Sequence, residues 1–106
     1  MRTMRLLVLF DLPTGSKTER KSYAKFRKFL IDDGYRMEQF SVYSRILLTR
    51  DSAKTHLQRL SQNLPAAGSV TVLELTEKQF ESRRVLVDTR MNKGPSDIGS
   101  QMTLVF

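Results

Sequence analysis

Asp11 stands at the downstream end of the apolar run Leu6-Leu7-Val8-Leu9-Phe10, with Leu12-Pro13-Thr14-Gly15 behind it. Five large apolar residues bounded by turn formers predict a buried central strand, and functional side chains are often released where such a strand leaves its sheet. The next stretch is among the most basic in the chain and carries Lys17, Arg20, Lys21, Lys25, Arg27 and Lys28. A carboxylate beside a cationic helix points to a phosphate-containing partner with a divalent metal between them. One carboxylate makes a poor Mg²⁺ site, because the ion takes several oxygen ligands. Symmetry could supply the second: two copies of Asp11 at a two-fold axis would share either a cation or one proton. The competing reading makes Asp11 a turn residue capping Pro13-Thr14-Gly15.

On a helical wheel Tyr23, Phe26 and Leu30 fall on one side and Lys17, Lys21, Lys25 and Lys28 on the other. Arg20 and Arg27 flank that lysine stripe, and only Glu19, Asp32 and Asp33 offset it. Such a face can follow a phosphate backbone without reading base sequence. A solvated helix face would have the same pattern. Arg83-Arg84 is a second candidate phosphate contact, or a pair of surface charges. His56 reads as a surface residue of a second helix rather than a ligand or base, and a single histidine excludes paired-His metal motifs. Phe26, Phe29, Phe40 and Phe80 are core candidates, and no aromatic pair on a sheet face offers a base-stacking platform.

The bulk composition frames these residues. At 106 residues with 40% hydrophobic and 27% charged, the chain has the make-up of one ordinary globular domain whose small core would gain from oligomerisation. Its net charge of +7 makes polyanions the natural partners. Residues 1–50 hold 11 Lys/Arg against 5 Asp/Glu, and residues 51–106 hold 7 against 6, so an anion-binding face should draw on the first half. The absence of cysteine excludes disulfides, thiolate metal sites and Cys nucleophiles. No apolar stretch approaches the roughly 20 residues of a membrane span, and the N-terminus lacks a signal peptide's apolar core. No membrane association and a cytoplasmic location are expected.

The elements needed to position Asp11 and the stripe follow from periodicity. A strand over residues 4–11 leads into a helix over 17–32, ended by Asp33-Gly34, where glycine suits a left-handed cap. Residues 35–43 and 44–49 predict two strands with a link too short for a helix, hence an antiparallel hairpin. Asp51-Ser52 offers caps for a second helix, where Ala53, Leu57, Leu60 and Leu64 recur until Pro65 and Gly68. Residues 70–75 predict a fourth strand. The order βαββαβ specifies an α+β, ferredoxin-like fold with a four-stranded antiparallel sheet and both helices on one face. Residues 1–80 would form that domain and 81–106 a C-terminal extension. Residues 76–79 have capping-box spacing for one helical turn, and in the extension 83–88 and 102–106 could be short strands and 92–97 reads as a loop. Four strands complete the fold, so these extra apolar segments need another surface, and a second subunit is the economical one.

Leu9-Phe10-Asp11-Leu12-Pro13, Arg20-Lys21, Phe26-Arg27-Lys28-Phe29-Leu30, Gly34-Tyr35, Gln39-Phe40-Ser41-Val42-Tyr43 and Thr76-Glu77-Lys78-Gln79-Phe80 together resemble CRISPR-associated protein two. This family supplies the small subunit of the spacer-acquisition machinery, and the likeness, closest to forms found beside single-effector (type II) systems, covers about residues 4–80. The resemblance implies a ferredoxin-like homodimer in which a C-terminal strand of each subunit extends the other's sheet. It implies that Asp11 matches the family's metal-associated catalytic acid, facing its twin, with Mg²⁺ or another divalent cation shared between them. It implies a heterohexameric complex in which two integrase dimers flank this one, which bridges them and holds double-stranded prespacer DNA. It also implies metal-dependent endonuclease activity on RNA or double-stranded DNA. The residues alone leave the enzyme question open, since one candidate acid per subunit is visible. A bridge without catalysis, and a regulatory ferredoxin-like module binding a small ligand at a dimer interface, remain the alternatives.

Overall fold

The structure, a computed structural model, describes residues 3–89. Along them run β1 (Met4–Asp11), α1 (Lys17–Asp32), β2 (Arg36–Gln39), β3 (Val42–Leu47), α2 (Arg50–Ser61), β4 (Ser69–Thr76) and α3 (Glu77–Glu81). The strands form one antiparallel sheet in the order β2-β3-β1-β4, so the unbroken apolar run of β1 is central, as its composition requires. Leu6, Val8 and Phe10 alternate onto the face covered by α1 and α2, where they form a core with Phe26, Leu30, Tyr43, Ala53 and Leu60. The expected ferredoxin-like α+β arrangement is therefore the observed one.

Local chemistry sets the boundaries. Ser16 and Glu19 close a capping box at the start of α1, and Gly34, at φ +93°, follows its C-terminal cap. At α2 the cap is Thr49 rather than Asp51 or Ser52; the Ser52 side chain instead completes the box from the third position. That helix stops at Ser61, short of Leu64, because Gln62 already caps it, and Leu57 and Leu64 are left exposed. Thr76 and Gln79 make the box expected for α3.

The hairpin turns earlier than its alternation predicts. Phe40-Ser41, not residues 43 and 44, forms the bend, with Ser41 at φ 65° and its carbonyl accepting from Phe10 N–H at 3.0 Å. No Gly, Pro or Asn marks this turn in the sequence, so the apolar alternation runs straight through it. Phe40 is consequently 80% exposed rather than in the core, while Phe26 and Phe80 are buried and Phe29 is partly so. Residues 83–88 are irregular in the single chain rather than a strand. The loop at 92–97 and the strand at 102–106 lie outside the described residues.

Candidate acid site and nucleic-acid interface

Strand alternation decides what Asp11 can reach. β1 sends Arg5, Leu7, Leu9 and Asp11 to the face opposite α1 and α2, and cross-strand register places Val42, Ser44 and Ile46 of β3 and Ser69, Thr71, Leu73 and Leu75 of β4 beside them. Asp11 pairs with Ser69 at the edge of this apolar surface. The carboxylate is exposed and makes no hydrogen bond or ion pair among the described residues, so the turn-capping reading does not hold. Ile46 and Leu73 on the same face are 47% and 44% exposed.

The other end of that face is covered. Arg5, 8% exposed, donates to Ser44 Oγ at 3.0 Å and pairs with Glu77 at 2.8 Å, while Phe80 of α3 stacks on its guanidinium. Arg83 lies on the Phe80 ring at 3.8 Å and within 3.8 Å of Glu38. α3 therefore closes the half of the open face where β1 begins and leaves the half around Asp11 bare.

The basic residues separate by what holds them. Lys17, Arg20, Lys21, Lys25, Arg27 and Lys28 are all exposed along α1. Arg20 donates to the Thr14 carbonyl at 3.2 Å, Arg27 Nε to the Tyr43 hydroxyl at 2.8 Å, and Lys28 pairs with Asp32 at 2.7 Å. Lys17, Lys21 and Lys25 make no such contact among the described residues, and neither does exposed Arg84. Lys21 and Lys25 also line a groove of about 480 Å³ with Phe29, Leu64 and Pro65. Because α1 packs on the face opposite Asp11, the stripe and the carboxylate lie on different sides of the sheet; only the first turn of α1 follows Asp11 closely in the chain.

A buried ionic cluster ties the helices together at the far end of α1. His56 is 6% exposed, not a surface residue: its Nδ1 lies 2.9 Å from Asp33 Oδ2, and Arg59 donates to Asp33 Oδ1 at 2.9 Å. Asp33 thus holds α2 rather than offsetting the stripe. Nearby, Arg45 donates to the Asp33 carbonyl, and burial together with the Asp33 charge pushes the Tyr35 phenol up to about 12, against the opposing pull of Arg45. Arg5, Asp33 and Arg59 have no separate sequence signal, because their partners lie far away along the chain.

A divalent cation would find one carboxylate per chain here. Among the described residues no group of three His, Cys, Asp or Glu side chains could hold a metal. Two Asp11 carboxylates from paired chains, with waters completing the shell, would suit Mg²⁺, which dehydrates reluctantly and often uses only one or two carboxylates.

An antiparallel βαββαβ sheet with α1 and α2 on one face, an apolar strip with an unpartnered acid on the other, and a cationic first helix define a basic, ferredoxin-like protein. The sequence pattern of the family described as CRISPR associated protein Cas2 matches residues 4–83, and the chain belongs to that family. It is similar to the CRISPR-associated endoribonuclease Cas2 of Acidovorax ebreus, with 60% identity over 84 residues, covering 79% of this chain and 82% of that one. The protein of the same description from Streptococcus mutans serotype c is 49% identical over 77 residues, covering 73% and 71%. The crystal structure of Streptococcus pyogenes Cas2 at pH 6.5 superimposes with a TM-score of 0.57 at 23% identity, covering 76% of this chain and 98% of that one, a likeness of fold. No helix among the described residues is long and apolar enough to cross a membrane.

Proposed function

We propose that the chain acts as a homodimer in CRISPR spacer acquisition, binding duplex DNA through α1 and bridging integrase subunits, with phosphodiester cleavage as a second activity at the paired Asp11 carboxylates. The observation that carries this reading is the apolar strip of half-buried Leu7 and Leu9 and exposed Leu73, left uncovered by α3, with exposed Asp11 at its edge. A second copy packed on that strip would bury it and bring two acids near one axis. The name endoribonuclease borne by the relatives supports cleavage, and RNA is the substrate class it suggests. The C-terminal extension, residues 81–106, would add dimer and partner contacts to the ferredoxin-like domain.

Two like charges held close repel, so each Asp11 needs a cation or a proton between them. A divalent ion bound there would supply Lewis-acid polarisation of a phosphate oxygen and a water of lowered pKa. The two Asp11 carboxylates would hold such an ion, and Lys17 and Arg20, on the first turn of α1, would steady charge developing on the phosphate. Lys21, Lys25, Arg27, Lys28, Arg83 and Arg84 are assigned to backbone binding, which positions a polyanion without reading its sequence.

Asp11→Asn tests both halves. The variant should dimerise at least as well, bind duplex DNA and support integration by its partner, while Mg²⁺-dependent cleavage of RNA is lost. Loss of integration in a variant that still assembles the full complex would overturn bridging as the main task. Undiminished cleavage would overturn Asp11 as the acid.

A further inference from the structure

We propose that Gly68 is a positioning residue for the Asp11 carboxylate, an inference that rests on Asp11 acting as the cleaving acid. Gly68 immediately precedes β4, has φ +101°, and lies against the end of β1. A Cβ at this position would stand 2.5 Å from the Asp11 carbonyl oxygen, 2.7 Å from Leu12 Cδ2 and 3.0 Å from Leu12 Cα. Two of those three atoms belong to the backbone that carries the acid, and backbone cannot swing aside as a side-chain tip can. Leu12 is itself buried in the core, so the end of β1 is held between the core on one side and Gly68 on the other. One residue further on, Ser69 is the cross-strand partner of Asp11, so the register that aims the carboxylate at the open face is set at the same place.

A methyl group at 68 therefore fits only if residue 68 and the Asp11-Leu12 backbone move apart, which changes the placement of the carboxylate relative to β4. A misplacement of about 1 Å in a reacting group can cost about 100-fold in rate. Gly34 supplies the contrast. It also has a left-handed backbone, φ +93°, but a Cβ there would meet the guanidinium end of Arg45, with no atom of β1 among its near contacts. Both substitutions strain the backbone alike, and one alone displaces the acid.

The test compares Gly68→Ala, Gly34→Ala and Asp11→Asn in the full chain, at matched amounts of folded protein. It reads Mg²⁺-dependent cleavage of a single-stranded RNA, and Mn²⁺-induced broadening of the backbone amides of residues 9–12 and 69–71. Gly68→Ala should lose about 100-fold in kcat with KM little changed, and should need more Mn²⁺ for the same broadening. Gly34→Ala should stay close to the parent in both. Where Gly68→Ala does not fold, Gly68→Asn takes its place, since Asn tolerates positive φ yet carries the same Cβ, and the same losses are expected. Gly68 and Gly34 variants that behave alike, in a protein whose cleavage and broadening depend on Asp11, would overturn the role of Gly68 alone. Cleavage indifferent to Asp11→Asn would overturn the reading beneath it and the Gly68 role with it.

Discussion

The Arg5 guanidinium lies 4.0 Å from the centroid of the Phe80 ring, joining the buried start of β1 to the short helix α3. Arg83 covers the opposite side of the same ring, and Arg5 also reaches Glu77 and Ser44, so a positive charge in the sheet is satisfied on every side. A cation so enclosed is tolerable only when it is both paired and hydrogen-bonded.

Arg5→Met keeps the apolar stem but leaves the Glu77 carboxylate without its buried donor. Hydrogen bonds to charged groups contribute roughly 1.5–3 kcal/mol, and Glu77 retains access to water, so a loss of about 2 kcal/mol is expected. The urea midpoint should fall with the slope unchanged. A midpoint equal to that of the parent would show that the cluster contributes packing alone.

The layout of the sheet is legible because it is written in local periodicity: Leu6, Val8 and Phe10 announce a central strand, and Tyr23, Phe26 and Leu30 the inner face of α1. The Phe40-Ser41 turn is not, because serine in a left-handed turn leaves no glycine signal. Asp11 can be picked out from its place at a strand end, but not its separation from the lysine stripe, which follows from strand register rather than spacing. The burial of His56 is hidden for a related reason. Its partner Asp33 belongs to the end of another helix, and only tertiary packing brings the two within 2.9 Å.

The bare half of the open sheet face should be a dimer interface. Leu7 and Leu73 are cross-strand partners there, and replacing either by Glu would place a charge in the buried centre of such an interface. Leu7→Glu and Leu73→Glu are expected to be monomeric by light scattering, whereas Leu57→Glu, on the exposed side of α2, should remain dimeric. Removing residues 82–106 should also give a monomer or an aggregating product. Dimers that survive both sheet substitutions would place the contact elsewhere.

Duplex binding should depend on the lysines that have no intramolecular partner. Changing Lys17, Lys21 and Lys25 together to Glu should weaken binding to any sequence about equally, and should lower the salt dependence by roughly one unit of slope for each phosphate no longer neutralised. Replacing Arg27 or Lys28 should do less, since Tyr43 and Asp32 already engage them. Equal affinity of the triple variant and the parent at moderate salt would make the stripe a solvated face.

Tyr35 should give stability a dependence on alkaline pH. Burial and the Asp33 charge raise its phenol from 10.0 to about 12 in the folded chain. The unfolded chain therefore loses this proton first, so the contribution of the neutral phenol is complete below pH 10 and disappears as pH rises toward 12. The Tyr35 hydroxyl is also buried with no hydrogen-bond partner among the described residues, so Tyr35→Phe removes an unsatisfied group and should be close to neutral or slightly stabilising near pH 7. The difference in urea midpoint between parent and variant isolates the tyrosine: it should be constant below pH 10 and shift in favour of Tyr35→Phe above it. A difference that stays flat across that range would mean the phenol ionises as freely in the folded chain as in the unfolded one.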